Sequence, residues 1–164
     1  MILKHWNYVL LLVSSVSILS ALIAEYFFNL QPCELCLKQR HPYYFMIGFI
    51  IINFLIPISK KIFVFLLIQL SSLYGLFYAI WHVGVEHKLL KGPSGCSAGL
   101  NMSSNTVDLK EQILSKQVIS CDDVVWSFFG LSAASINTII LLVIFILNAN
   151  YIYNNYAPKK EKNN

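Results

Sequence analysis

IFVFLLIQLSSLYGLFYAIW, residues 62–81, is a run of twenty residues without a single charge. A helix that crosses a bilayer needs about 20 apolar residues. An open chain can cross only as a helix, because lipid offers no partner to an unpaired backbone group. Three further segments read the same way: about 8–28, with Glu25 near its end, 43–58 and 124–148. Of the 164 residues, 57% are hydrophobic and 12% charged, against about 25% charged in a soluble domain. The expected fold is therefore an all-α membrane protein. It is a four-transmembrane-helix bundle forming one integral membrane domain over residues 1–164. The first segment reads as a retained span, since Ala21 and Ala24 only loosely imitate a signal-peptide cleavage site. The net charge of +4, with no long block of like charges, points away from nucleic acid.

Only Ser59, Lys60 and Lys61 separate the second segment from the third, so these two form an antiparallel hairpin. Four spans put both termini on one face and the loops 29–42 and 82–123 on the other. Lysine and arginine are denser on the terminal face, which the positive-inside rule assigns to the cytoplasm. All four cysteines (Cys33, Cys36, Cys96 and Cys121) fall in the two opposite loops. An even set confined to one face reads as a disulfide set in an oxidising compartment, which makes that face periplasmic or otherwise non-cytosolic.

Four cysteines allow three connectivities, and proximity in sequence suggests Cys33–Cys36 and Cys96–Cys121. The second bridge closes a loop of 26 residues, worth roughly 3.5 kcal/mol in the chain-entropy model. The first closes almost none, and a CxxC bridge of that kind more often serves redox chemistry than bracing. In QPCELCLKQRHPYY, residues 31–44, Pro42 suits a first helical turn, and the helix has room to begin as early as Glu34. Cys36 and Arg40 then stand at i and i+4 on one face, where the guanidinium favours the Cys36 thiolate. An arginine at a helix end also fits a side chain snorkelling to the interface, and the spacing alone does not choose. No metal is expected. A Cys₄ zinc site uses two closely spaced pairs, whereas Cys96 and Cys121 stand 25 apart. Residues 108–117 fit a short amphipathic helix on the membrane surface as well as a solvated loop. For His87, His82, Glu25 and Gln39 the plain reading is of polar residues near an interface.

Three pieces of the chain, QPCELC with Arg40 behind it, GVEHKLLKGPSGC and SCDDVVWSFFGLS, together resemble the DsbB family of quinone-dependent, disulfide-generating membrane oxidoreductases. The likeness runs from the first helix to the fourth. It implies residence in a bacterial inner membrane and a relay that sustains disulfide formation. A reduced, periplasmic, DsbA-like thioredoxin-fold protein attacks the Cys96–Cys121 bridge at Cys96. Cys121 then exchanges with Cys33–Cys36, and Cys36 faces a membrane quinone (ubiquinone or menaquinone) with Arg40 beside it and His87 near. The Cys96–Cys121 loop differs in length and sequence from the best-known members, and His41 follows Arg40. Enzymes resembling vitamin K epoxide reductase also combine four helices with two cysteine pairs, but their quinone-facing pair comes second, whereas here the CxxC comes first. A non-catalytic metal-binding membrane protein is the remaining alternative, and it would leave the thiols inert to quinone.

Overall fold

A computed structural model describes residues 5–55, 61–93, 121, 124, 126–128 and 130–156. Four long helices carry the fold among these residues: α1 (Trp6–Tyr26), α2 (Glu34–Leu55), α3 (Ile62–Glu86) and α4 (Ala133–Tyr156). A two-stranded antiparallel hairpin, β1 (Ser127–Phe128) and β2 (Leu131–Ser132), leads directly into α4. The central helix is α3, which packs against both α2 and α4, while α1 lies against α2.

Each helix buries a narrow stripe. On α1 the buried residues are Trp6, Leu10, Ser14 and Ile18, spaced by four, one turn apart. The opposite face shows Tyr8, Leu12, Val16, Leu19 and Ile23 to the outside. A water-soluble bundle would place charge on that face. Here the outside is as apolar as the core, so the medium it meets is lipid. Helices α1, α3 and α4 are each long and apolar enough to cross a membrane, and the protein is a membrane protein. Helix α2 is not among these three, because its first two turns carry Glu34, Lys38 and Arg40.

Helix α2 starts at Glu34, the earliest start the sequence allowed and nine residues before the apolar run expected over 43–58. Glu34 suits the positive end of the helix dipole, and its carboxylate pairs with Lys38 at i+4, 2.7 Å away. Pro42 therefore lies inside the helix and not in its opening turn. The ring of Pro42 fits against Gly75 on α3, where an added Cβ would stand 2.6 Å from the proline Cγ. The helix expected over 124–148 occupies Ala133–Tyr156 instead. Gly130 turns the chain at φ +79°, a conformation glycine adopts without a Cβ penalty. Ser132 then caps α4 by accepting from the Ser135 N–H at 3.1 Å. The amphipathic helix expected over 108–117 lies outside the described residues, as does Cys96.

Candidate functional site

Cys33 occupies the N-cap of α2. Its carbonyl accepts from the Leu37 N–H at 3.1 Å, and its Sγ accepts from the Cys36 N–H at 3.3 Å. A capping group normally offers oxygen to the third backbone amide of its helix, and here sulfur takes that place. Cys36 stands one turn further on. Both cysteines are free thiols, with Cys33 buried and Cys36 half-buried, and their sulfurs are 2.9 Å apart. Cys121 is engaged in a disulfide and is almost fully buried. It packs into one cluster with Cys33, Leu35 and Val85, edged by Cys36, Tyr78 and Trp81. The first CxxC and a cysteine of the second loop thus share one apolar pocket.

A buried histidine completes the thiol site. His82, on α3, brings Nε2 to 3.6 Å from Cys33 Sγ. Its Nδ1 meets Gln39 Nε2 at 2.8 Å. Gln39 Oε1 accepts from Asn137 Nδ2 at 2.7 Å, and Asn137 Oδ1 accepts from the Tyr43 hydroxyl at 2.5 Å. One turn beyond His82, Glu86 Oε1 lies 4.0 Å from Nε2, while Glu86 Oε2 accepts from Ser132 Oγ at 2.5 Å. Helices α2, α3 and α4 therefore meet through one polar network around Cys33.

These contacts set the acidity of Cys33. The hydrogen bond from the Cys36 thiol is the largest influence. Burial opposes it, and His82 and the Cys36 amide add to it. The thiol falls from the usual 9.0 to about 4. Proximity to a helix N-terminus is a recognised cause of such acidity. The sequence reading gave the activated thiolate to Cys36 through Arg40. In the folded chain the donors converge on Cys33.

Arg40 does stand one turn after Cys36, but it is not free. Its Nη1 donates to Glu25 Oε2 on α1 at 2.5 Å, and Nη2 reaches the Ala21 carbonyl at 3.5 Å. Both side chains of the pair are largely shielded. Arg40 thus ties α2 to α1, a structural duty that spacing along one helix could not disclose. His87 caps the C-terminal end of α3 and is exposed. His82, five residues earlier, is the histidine beside the sulfurs. By its apolar run the third span ends at Trp81, which leaves His82 in the loop. Helix α3 instead runs on through Glu86, and that longer helix puts a histidine and a glutamate at i and i+4 on one buried face.

Cys33, Cys36 and His82 offer ligand atoms all within 4.8 Å of one another. Two thiolates on a tetrahedral zinc, at about 2.3 Å each, stand about 3.8 Å apart. The 2.9 Å separation is closer than that and suits a pair poised to bond with each other.

Comparison with known proteins agrees with this chemistry. Residues 4–150 match the model of the family described as "DsbB: Disulfide bond formation protein DsbB". The chain is 29% identical to a disulfide bond formation protein B of Psychrobacter sp. (strain PRwf-1), over 87% of this chain and 86% of that one. It is 32% identical to a disulfide bond formation protein B of Acinetobacter baylyi, over 78% and 81%. An uncharacterised protein of Rickettsia prowazekii is 27% identical over 87% and 85%. No solved structure matches significantly. The chain belongs to the DsbB family, a family of membrane thiol oxidoreductases acting in disulfide bond formation.

Proposed function

We propose that this DsbB-family chain is a four-span protein of a bacterial inner membrane that passes electrons from a soluble dithiol protein to a membrane quinone. In this reading α2 is the fourth span, residues 1–164 form one integral membrane domain, and both termini are cytoplasmic. Cys96 and Cys121 form the pair that meets a DsbA-like thioredoxin-fold partner, and Cys33 and Cys36 form the pair that empties to quinone. The observation that carries the reading is the packing of Cys121 in one cluster with Cys33, at the thiol pair that opens α2.

Each exchange is an attack of thiolate on disulfide sulfur through a mixed disulfide. Cys33, acidic enough to stay ionised at neutral pH, suits both sides of that step. As a leaving group it departs readily from a mixed disulfide with Cys121. In the oxidising step it bonds to Cys36 Sγ as the Cys36 S–H bond breaks; the two electrons and that proton pass to the quinone, and the bridge is restored.

The residues around Cys36 fit a quinone. The Cys36 sulfur is half-buried, and Leu37 and Tyr44 on the same stretch of α2 face outward, so a lipid-soluble ring can approach. Arg40 uses two of its N–H donors on Glu25 and Ala21 and has others left for a carbonyl oxygen. Cys36 and Arg40 would hold the ring. A bound quinone supplies a two-electron, two-proton acceptor. His87, at the C-terminal end of α3, would meet the quinone as well.

The test is thiol counting on purified protein. After reduction of the CxxC by a reduced thioredoxin-fold dithiol, quinone should restore the Cys33–Cys36 bridge. Cys96→Ser should block exchange with the soluble partner and leave quinone able to oxidise Cys33 and Cys36. Persistence of both thiols in the presence of quinone would overturn the proposal.

A further inference from the structure

We infer that His82 is a catalytic residue of the thiol pair, a buried N–H donor that holds Cys33 as the thiolate and turns to Glu86 when that thiolate is gone. The inference rests on the reading of Cys33–Cys36 as a redox pair. It adds a residue that neither family membership nor the CxxC motif assigns.

The argument begins with the tautomer. Tyr43 donates to Asn137, Asn137 to Gln39, and the Gln39 amide nitrogen faces His82 Nδ1. An amide NH₂ can only donate, so Nδ1 must accept. In neutral His82 the proton is then on Nε2. That nitrogen is the one 3.6 Å from Cys33 Sγ. Cys33 thereby receives three donors: the Cys36 thiol, the Cys36 amide and the His82 imidazole. A sulfur surrounded by donors is stabilised as the anion.

The second half concerns the oxidised pair. A disulfide sulfur is a poor acceptor, and a buried N–H left without a partner is destabilising. Glu86 Oε1 stands 4.0 Å from the same Nε2, fixed from behind by Ser132, which the Ser135 amide orients in turn. A small rotation of the imidazole transfers its hydrogen bond from sulfur to carboxylate. His82 keeps its proton in both states. Oxidation then balances simply. The Cys33 thiolate bonds to Cys36 Sγ, and the Cys36 S–H bond breaks. Two electrons and that proton leave to an acceptor of the quinone class, whose second proton comes from water.

The titratable and charged groups around His82 are few. From α2 they are Cys33, Cys36, Arg40 with its α1 partner Glu25, and Tyr43 at the far end of the amide chain. From its own helix there is Glu86. Helix α4 and its cap contribute the neutral Asn137, Ser132 and Ser135 among the described residues. Gln39 and Glu86 are positioning residues, because they act on sulfur only through the imidazole.

Two readouts on reduced and oxidised full-length protein in detergent test this, and neither needs quinone or partner. First, alkylation of Cys33, resolved by mass spectrometry across pH, reports its ionisation. His82→Leu should raise the midpoint by about one unit, a tenfold change in the ionisation constant. Tyr43→Phe, which removes only the hydroxyl that orients the amide chain, should move it the same way by less. Second, equilibration of the Cys33–Cys36 peptide with glutathione reports the balance of dithiol and disulfide. His82→Leu should shift it about tenfold toward disulfide, about 30 mV. Glu86→Leu should shift it toward dithiol, because the oxidised pair loses the second acceptor. An unchanged Cys33 midpoint in both His82→Leu and Tyr43→Phe would overturn the role. Shifts of the same sign in His82→Leu and Glu86→Leu would overturn the exchange of acceptors. A protein that showed both shifts but gave no electrons to quinone would sink the relay and leave His82 standing.

Discussion

Among the described residues the bundle shows two buried polar networks, and they differ in what they contain. Toward one end, Asn148 of α4 accepts from Trp6 Nε1 of α1 at 3.1 Å and donates to the Phe65 carbonyl and to Gln69 Oε1 of α3. Toward the other, His82 joins Cys33, Gln39, Glu86 and, through them, Asn137, Tyr43 and Ser132. The Asn148 network is made only of amides, an indole and a carbonyl, so nothing in it changes charge near neutrality. The His82 network has amides and hydroxyls too, but it also holds a thiol, an imidazole and a carboxylate, groups that can gain or lose protons. Hydrogen bonds of the same length thus do two jobs. Among neutral groups they tie helices together where lipid gives no hydrophobic drive to do so. Around a thiol and an imidazole they also decide which atom carries charge.

The strongest way to break this contrast is at the sulfurs. Cys36→Ser should reduce the oxidation of thiols by quinone to background while the protein stays folded, since a serine hydroxyl cannot form the bridge. A stopped assay of quinone absorbance decides it, and residual turnover would show that the charge-bearing network is not the redox centre.

Next in size is the acidity of Cys33. With the thiol held at about 4, its alkylation should be flat from about pH 6 to about pH 9, where an ordinary thiol gains on the order of 300-fold in thiolate. The same shift has a stability sign. The folded value lies below the unfolded one, so the contribution is fully present above the ordinary 9.0 and is lost as pH falls toward about 4. Thermal melts of the reduced protein should therefore gain stability with rising pH in that window. The oxidised protein, with no thiol at Cys33, should lack this slope.

Arg40 comes third and sharpens the comparison, because it has both kinds of duty. Loss of a donor to a developing negative charge costs about 3 kcal/mol, on the order of a hundredfold in rate, so Arg40→Ala should slow quinone reduction by that much. The same change strands Glu25 in a shielded place. Arg40→Ala with Glu25→Gln should recover stability and not rate. Equal recovery of both would make Arg40 a purely structural tie.

The smallest effect belongs to the neutral network. Asn148→Ala unpairs Trp6, Gln69 and a carbonyl and should cost about 1–3 kcal/mol in a detergent melt, with the Cys33 alkylation profile unmoved. A shifted profile would mean the two networks are coupled.

The sequence made the first layer of this legible for simple reasons. Apolar runs of the right length, a cysteine set confined to two loops, and the CxxC–Arg40 spacing are all local patterns. The site itself is not local. His82 reaches Cys33 only because α3 packs on α2, and no periodicity within α3 says which of its polar residues faces sulfur. Arg40 read as a residue of α2 alone, because its partner Glu25 comes from another helix. For α2 the sequence left two starts open, Pro42 and Glu34; the structure takes the earlier one, which makes Cys33 the N-cap and Pro42 an interior residue. The start of α4 was missed although Gly130 and Ser132 spell a turn and a cap, since an apolar stretch ran unbroken through both.

The seating of Pro42 against Gly75 has a consequence for inheritance. A Cβ at position 75 would stand 2.6 Å from the proline ring and 3.1 Å from Leu141, so α2 and α3 come this close only because that carbon is absent. From Gly75 to His82 is seven residues, about 10 Å of helix. The approach of imidazole to sulfur thus depends in part on a missing methyl group two turns away. Lineages of this protein are free to exchange lipid-facing residues singly, but position 75 can enlarge only where position 42 has already lost its ring. Among descendants, the two sites should be found changed together or not at all.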